Sequence, residues 1–453
     1  MLIRFHASNF LSIHEEVELS LIPGRVRQHP EHVMHDSEGC GAAVLRAAVI
    51  YGANAAGKSN LVRAMRFAQR LIVDGTRIKQ AIPRIPFKLC KEGTSCPSKF
   101  EFEFKQGKRC YGYGFEVDSQ RVHAEWLYEI KKTTEALLFE RTTTEEGGVA
   151  VQFGKVGFVD SDDERTVRGV AKGTRPNQLF LTESMERNVP HFADVYHWFR
   201  ETLAIIYPES KYLPLLGRMA ESDFAASMAR YLEQLGTGVY GFDLSEVDPE
   251  VEFSAEMLED LREMAEPEGK SIFVVGPRGE CYIVELSGGQ IQAKKLMFKH
   301  RMGDGGEEVQ FDIREESDGT RRMLDLLPGF ANLTGREQVI VIDELDRSLH
   351  PRLSYELLRL FLADSGNRSQ IIATTHEENL LNLELLRRDE IWLIEKDPGG
   401  ASHLYSLEEF APRYDKDIER GYLMGRFGAI PVFGPPFAAR LCQSDRSRAG
   451  DRH

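Results

Sequence analysis

The sequence has little of what would mark a secreted or membrane-bound chain. Its six cysteines never stand as C-x-x-C, so neither a zinc ribbon nor a disulfide framework is expected, and reduced, packed thiols in a cytoplasmic protein are. No apolar run approaches the roughly 18 residues of a membrane span. Met1–Ser12 lacks a basic stretch followed by an apolar core, so it does not read as a signal peptide. Positive charge is in deficit: 57 Lys+Arg against 71 Asp+Glu leave −14. That mean field repels a phosphate backbone and demotes direct nucleic-acid binding, although a local basic groove stays allowed. His29, His32 and His35, with Asp36 and Cys40, are metal-ligating types. Pro30, Ser37, Gly39 and Gly41 around them read as a loop, so no metal is assigned there.

The patterns that are present alternate between strand and helix. Ile13, Glu15, Val17, Leu19 and Leu21 predict a strand with one buried face, and Ala47–Tyr51 a strand covered on both sides. Phe100, Phe102 and Phe104, then Tyr111, Tyr113 and Phe115, predict an antiparallel sheet turning at Gln106-Gly107-Lys108. Between 177 and 268 the period becomes helical, at Phe192–Ile206, at Phe224–Leu235 and at Met257–Met264, predicting a helical insertion. Strand patterning returns from Ser271 to Phe311. From Gly319 to Ile394 helix and strand alternate, as in a parallel sheet. The expected organisation is an N-terminal lobe (1–176), the helical insertion (177–268), a C-terminal lobe (269–442) and a frayed tail (443–453). The fold class is α/β, with a mixed sheet, an antiparallel β subdomain and a P-loop nucleotide-binding core.

Gly52-Ala53-Asn54-Ala55-Ala56-Gly57-Lys58-Ser59 fits G-x-x-x-x-G-K-[ST] and lies between a buried strand and a helix that opens through Asn60. Such a loop aims successive N–H groups and a helix N-terminus at phosphates. Lys58 is expected to reach the β- and γ-phosphates of ATP, and the Ser59 hydroxyl to ligate Mg²⁺. Val339–Ile342 is a β-branched strand delivering Asp343 as second Mg²⁺ ligand and Glu344 as the base that polarises water. Ile371–Thr375 ends on His376, placed to contact the γ-phosphate.

Leu286-Ser287-Gly288-Gly289-Gln290 spells a transporter signature, yet its Ser287 lies 56 residues before Asp343, too far for one helix, a turn and a strand, and it reads as a hairpin turn. Ser317-Asp318-Gly319-Thr320, 26 residues before Asp343, is better placed to cap a helix and bind an anion, with Pro328 expected to kink or end that helix.

These motifs in this order resemble the ABC-class ATPases of the SMC/RecF/OLD type. Phe5–Ser12, Glu315–Arg322, Asp343–Pro351 and Arg426–Pro431 are similar to a narrower group, the prokaryotic OLD-like AAA-type ATPases of abortive infection and phage defence. The resemblance covers about 1–130 and 270–431. It implies a head-to-head homodimer, or a higher oligomer, with ATP between subunits, Ser317 and Gly319 of one chain completing the site built on Lys58 of the other. Two departures stand out: His350 occupies the usual D-loop aspartate position, and no glutamine beyond Gln80 and Gln106 offers itself as a Q-loop residue. The leading expectation is an ATPase that senses or gates for a separate nuclease or toxin effector. The alternative is a DNA-repair ATPase of RecF/SMC type binding DNA directly. A fused TOPRIM nuclease is disfavoured because too little chain follows His376, and because Asp160-Ser161-Asp162-Asp163 reads as a solvated acidic loop.

Overall fold

The computed structural model describes residues 1–35, 40–209, 222–266, 271–276, 279–303, 307–330, 337–364, 366–410 and 418–430. The expected tail 443–453, Asp36, Pro431 and Cys442 lie outside these. Three principal sheets organise the described residues. The central one has six strands in the order Leu203–Ile206, Val339–Ile342, Gln370–Thr374, Ala47–Tyr51, Ile391–Lys396, Ser402–Ser406. The first five run parallel and the last is antiparallel.

Its middle strands are apolar on both faces because both faces are covered. Ala48 and Ile50, Val339 and Val341, and Ile372 point into one core; Ala47, Val49 and Tyr51, Ile340 and Ile342, and Ile371 and Ala373 point into the other. Each fully buried Val or Ile contributes about 1.5–3 kcal/mol, so no register that exposes one face competes. On the first face lies the helix Lys58–Val73, whose Leu61, Val62, Met65, Ala68 and Ile72 recur at helical spacing and are buried. Beyond it stands a seven-stranded antiparallel sheet that includes Leu2–Ser8, Ser98–Gln106, Arg109–Val117 and Val122–Ile130. Phe100, Phe102, Phe104, Tyr113 and Phe115 are fully buried there, as their alternation predicts. The expected hairpin is formed, with Gln106 paired to Arg109 and Gly107 at φ 57°.

Several expectations are corrected. Residues 177–268 are not an all-helical insertion. Leu203–Ile206 is a strand of the central sheet, paired with Val339–Ile342. Phe192, Val195 and Phe199 belong to short helical turns sunk in the first core. Gly241–Val247 joins a five-stranded sheet with Gln290–Arg301. The helices at Ser222–Gln234 and Ala255–Met264 are formed where the period places them. The misreading has a plain cause: apolar residues three to four apart mark burial on one side, and a helical turn followed directly by a buried strand gives the same spacing. The acidic run is likewise the start of a helix, Ser161–Gly173, with Asp160 accepting from the Asp162 and Asp163 N–H groups. Nor are all the thiols reduced: Cys40 and Cys110, 70 residues apart in sequence, form a disulfide, a pairing that local spacing could not reveal. Among the described residues no helix is long and apolar enough to cross a membrane.

Candidate nucleotide site

The site residues sit at the carboxyl ends of three adjacent parallel strands, where α/β sheets place their loops. From Ala47–Tyr51 the chain turns through Gly52–Gly57 into the helix beginning at Lys58. Two glycines make the turn possible. A Cβ on Gly52 would collide with the Ile394 carbonyl oxygen, and Gly57, at φ 119°, has the Ser402 and Ser12 hydroxyls against it. Ala55 also takes a positive φ, 64°. Outside the loop, the Ser402 hydroxyl donates to the Ala56 carbonyl at 2.6 Å and lies 2.7 Å from Ser12 Oγ. Asn60 donates to that same Ser12 oxygen at 2.7 Å. Asn54 and Ala55 are exposed at the tip, while Ala53 and Ser59 are half-buried.

Lys58 is buried. Its ammonium donates to the Gly52 and Ala53 carbonyls at 2.6 and 3.2 Å, and it lies 3.3 Å from His376 Nδ1. Burial pushes Lys58 down to about 8, against the opposing pull of Asp346, Asp343 and Glu344. Burial, with the Lys58 charge next, holds His376 below the usual imidazole range. An ammonium only donates, so Nδ1 of the neutral ring accepts and Nε2 carries the hydrogen.

The Ser59 hydroxyl donates to Asp343 Oδ1 at 3.1 Å. Thr374, on the neighbouring strand, donates to that same oxygen at 2.7 Å and accepts the Glu344 N–H at 2.9 Å. Glu344 turns sharply at φ 53°, a strained conformation for a residue with a Cβ, and its carboxylate lies 3.5 Å from Arg347. Asp346 ties the carboxylate turn to the histidine: its Oδ1 accepts from the Thr375 hydroxyl at 2.7 Å and from the His376 N–H at 3.2 Å. Buried Arg322 donates to the Asp343 and Glu344 carbonyls at 3.3 and 3.4 Å.

The structure thus brings Lys58, Ser59, Asp343, Glu344 and His376 together. Ser317 and Gly319 make their contacts elsewhere. Ser317 Oγ caps the helix Asp318–Phe330 by accepting the Thr320 N–H at 3.1 Å, and Gly319 packs so closely that a Cβ would meet the Ser348 carbonyl at 3.0 Å. Pro328 lies inside that helix and does not end it, the following Gly329 and Phe330 being helical too. Leu286–Gln290 is a β-hairpin, Gly288 and Gly289 turning at φ 59° and 74° between paired strands. His350 caps the helix Pro351–Ala363, its ring accepting the Arg352 N–H at 3.2 Å. Sequence reasoning missed Thr374, Thr375, Asp346, Arg322 and Ser402. Hydroxyls at the end of the Ile371–Thr375 run were a visible signal for the two threonines; Ser402 left none.

A family model described as "AAA domain, putative AbiEii toxin, Type IV TA system" matches residues 47–382. Among solved structures, the "SMC head domain from Thermotoga maritima" is 11% identical, with a TM-score of 0.36, 89% of this chain and 98% of that chain being covered. The "SmcHead bound to the C-winged helix domain of ScpA" is 12% identical, with a TM-score of 0.38, covering 91% of this chain and 99% of that one. No curated protein matches significantly. The family match spans most of the chain and includes the phosphate loop, the carboxylate turn and His376, and the chain therefore belongs to this AAA-domain family.

Proposed function

We propose that this chain binds and hydrolyses ATP between two copies of itself, and that closure of the pair gates a separate nuclease or toxin effector. The observation that carries the reading is the 3.1 Å hydrogen bond from Ser59 to Asp343, with Lys58 and His376 beside it. A hydroxyl and a carboxylate held side by side are the hard oxygen donors that suit Mg²⁺. Bound there with ATP, the ion would neutralise phosphate charge.

The chain's own groups supply the rest. The N–H groups of Gly52–Gly57 and of the helix start receive phosphate oxygens. Lys58 exchanges its two carbonyl partners for β- and γ-phosphate oxygens, a stronger, charge-assisted pairing. His376, neutral and with its hydrogen on Nε2, donates towards the γ-phosphate. Glu344 takes a proton from the attacking water. The Ser317–Gly319 corner opens a helix N-terminus suited to an anion. In the dimer we propose, that corner faces the phosphates held by a second copy. The family description names a putative toxin of a type IV toxin–antitoxin system, which supports coupling of the ATP state to toxicity. The segment 222–312, with its own sheet, is the surface we assign to that partner.

The purified chain should hydrolyse ATP in a Mg²⁺-dependent manner, without nuclease activity of its own. Co-purification with the product of the neighbouring open reading frame, with and without ATP, tests the gating. No ATP turnover would remove the whole reading. Nuclease activity in the pure chain, lost on mutating acidic residues other than Asp343 and Glu344, would remove the effector.

A further inference from the structure

The loop between the strands Val17–Ser20 and Val33–Met34 carries a group of side chains that the nucleotide site does not use. His29, Glu31 and His32 each turn one ligand atom to a common place, all three atoms lying within 4.8 Å of one another. His29 Nδ1 is 3.3 Å and His32 Nε2 is 3.8 Å from Glu31 Oε1. The opposite nitrogen of each ring is committed inward. His29 Nε2 lies 2.9 Å from the Leu383 carbonyl, and His32 Nδ1 lies 3.1 Å from Oε2 of the fully buried Glu390.

Those inward partners fix the tautomers. A carbonyl only accepts, so His29 Nε2 carries the hydrogen, and in the neutral ring the Nδ1 lone pair faces Glu31. The Glu390 oxygen, which also accepts the Arg387 N–H at 2.8 Å, accepts from His32 Nδ1, leaving the Nε2 lone pair facing Glu31 as well. Two lone pairs and a carboxylate converging in this way repel one another until a positive charge, a proton on one ring or a metal ion held by all three, stands between them. Carboxylate or carbonyl support behind each imidazole is the arrangement that orients metal-ligating histidines.

The distances suit a small ion. Zinc–ligand bonds of about 2.0–2.1 Å give tetrahedral edges of about 3.4 Å; two edges here are 3.3 and 3.8 Å. Closing the third requires the rings, now stacked with centroids 4.8 Å apart, to turn towards each other. Glu31 is 49% exposed on its side chain, which leaves an entry path and a fourth position for water. Two imidazoles and one carboxylate favour zinc-like ions over Mg²⁺. Relative to the cluster seen in the sequence, Cys40 is withdrawn into its disulfide and Glu31 takes its place.

We propose that His29, Glu31 and His32 bind a zinc-class divalent transition-metal ion, apart from the Ser59–Asp343 pair, and that the ion clamps this loop to the segment Leu383–Glu390 that leads into the strand Ile391–Lys396. The test is titration of the full chain, stripped of metal and free of nucleotide, with zinc chloride against a chromophoric chelator. One zinc per chain is expected, undisturbed by millimolar Mg²⁺. His29→Ala and Glu31→Gln should each weaken it by about tenfold or more, whereas Asp343→Asn should bind zinc as the parent does. Zinc should also raise the melting temperature of the parent and not of the His29→Ala Glu31→Gln double variant. His32 is buried against Glu390, so its removal can unfold the loop, and the two outward residues carry the test instead. Less than one zinc per chain, or parental affinity in either single variant, overturns the proposal. So does loss of zinc on Asp343→Asn alone, which would put the ion in the phosphate loop.

Discussion

Lys58 is an ammonium held in a buried loop mostly by carbonyls, and burial brings it down to about 8. The sign of the resulting pH effect follows directly. Phosphate oxygens favour the charged form, which is dominant below pH 8 and is lost as pH rises through that value. ATP affinity should therefore be level on the acid side of 8 and fall by up to about tenfold for each unit above it, read by nucleotide fluorescence anisotropy. Affinity that stays level well into the alkaline range would separate Lys58 from the phosphates. Lys58→Ala should abolish tight binding altogether. Glu344 sits differently, half-exposed on a strained turn beside Arg347. Glu344→Gln should keep ATP binding while lowering turnover by about 10²–10⁴-fold, trapping the closed pair; turnover at the parental rate would remove Glu344 as base. Asp346 touches no phosphate in this scheme but fixes Thr375 and the His376 backbone with one oxygen. Misplacement of a reacting group by about 1 Å can cost 10²-fold, so Asp346→Ala should depress kcat more than KM for ATP. An unchanged kcat would leave Asp346 a purely structural residue.

At the scale of the element, the phosphate loop is braced from outside by two serines far apart in sequence, Ser12 and Ser402. Gly57→Ala asks the chain to keep φ 119° with a Cβ driven into both hydroxyls. It should cost about 1–3 kcal/mol, seen as a lower melting temperature, and should weaken nucleotide binding in the protein that still folds. Replacing Gly107, whose Cβ would meet nothing, should cost less, through its positive φ alone. The same contrast explains what could be read in advance. The strand–loop–helix of 47–73, the carboxylate strand, the strand ending at His376, the Gly288-Gly289 hairpin and the helix opened by Asp318 were all legible, because each is written in contiguous residues with a fixed period or turn chemistry. Ser402, Arg322, Asp346 and the Cys40–Cys110 pair were not, because their meaning lies in partners brought together only by the crossing order of the central sheet. Residues 192–206 failed for a third reason: a one-sided apolar pattern does not say where a helical turn gives way to a buried strand.

The central sheet is assembled from three separated stretches of chain, one strand near residue 50, one near 205 and four between 339 and 406, so the carboxylate turn and the phosphate loop cannot be set without most of the molecule folded. Arg322 adds a bond from the helix of the Ser317 corner to the carbonyls of the carboxylate turn. Within one chain, then, the helix of the Ser317 corner is tied to the Asp343–Glu344 turn through Arg322, and Gly319 lies close against the Ser348 carbonyl. If two chains sandwich the nucleotide, each site takes Lys58 from one copy and the Ser317–Gly319 corner from the other, and an isologous pair holds two such sites. Lys58→Ala and Ser317→Arg should each be inactive alone, since both sites of either homodimer are broken. Mixed in equal amounts, half the pairs are heterodimers, and each of these has one site with both halves intact. ATPase activity should therefore return to about a quarter of the parental level if the sites act independently, and it should rise with total protein concentration. Two inactive variants that stay inactive on mixing, while their masses in solution show that they exchange subunits, would mean that the Ser317 corner serves its own chain or no nucleotide at all.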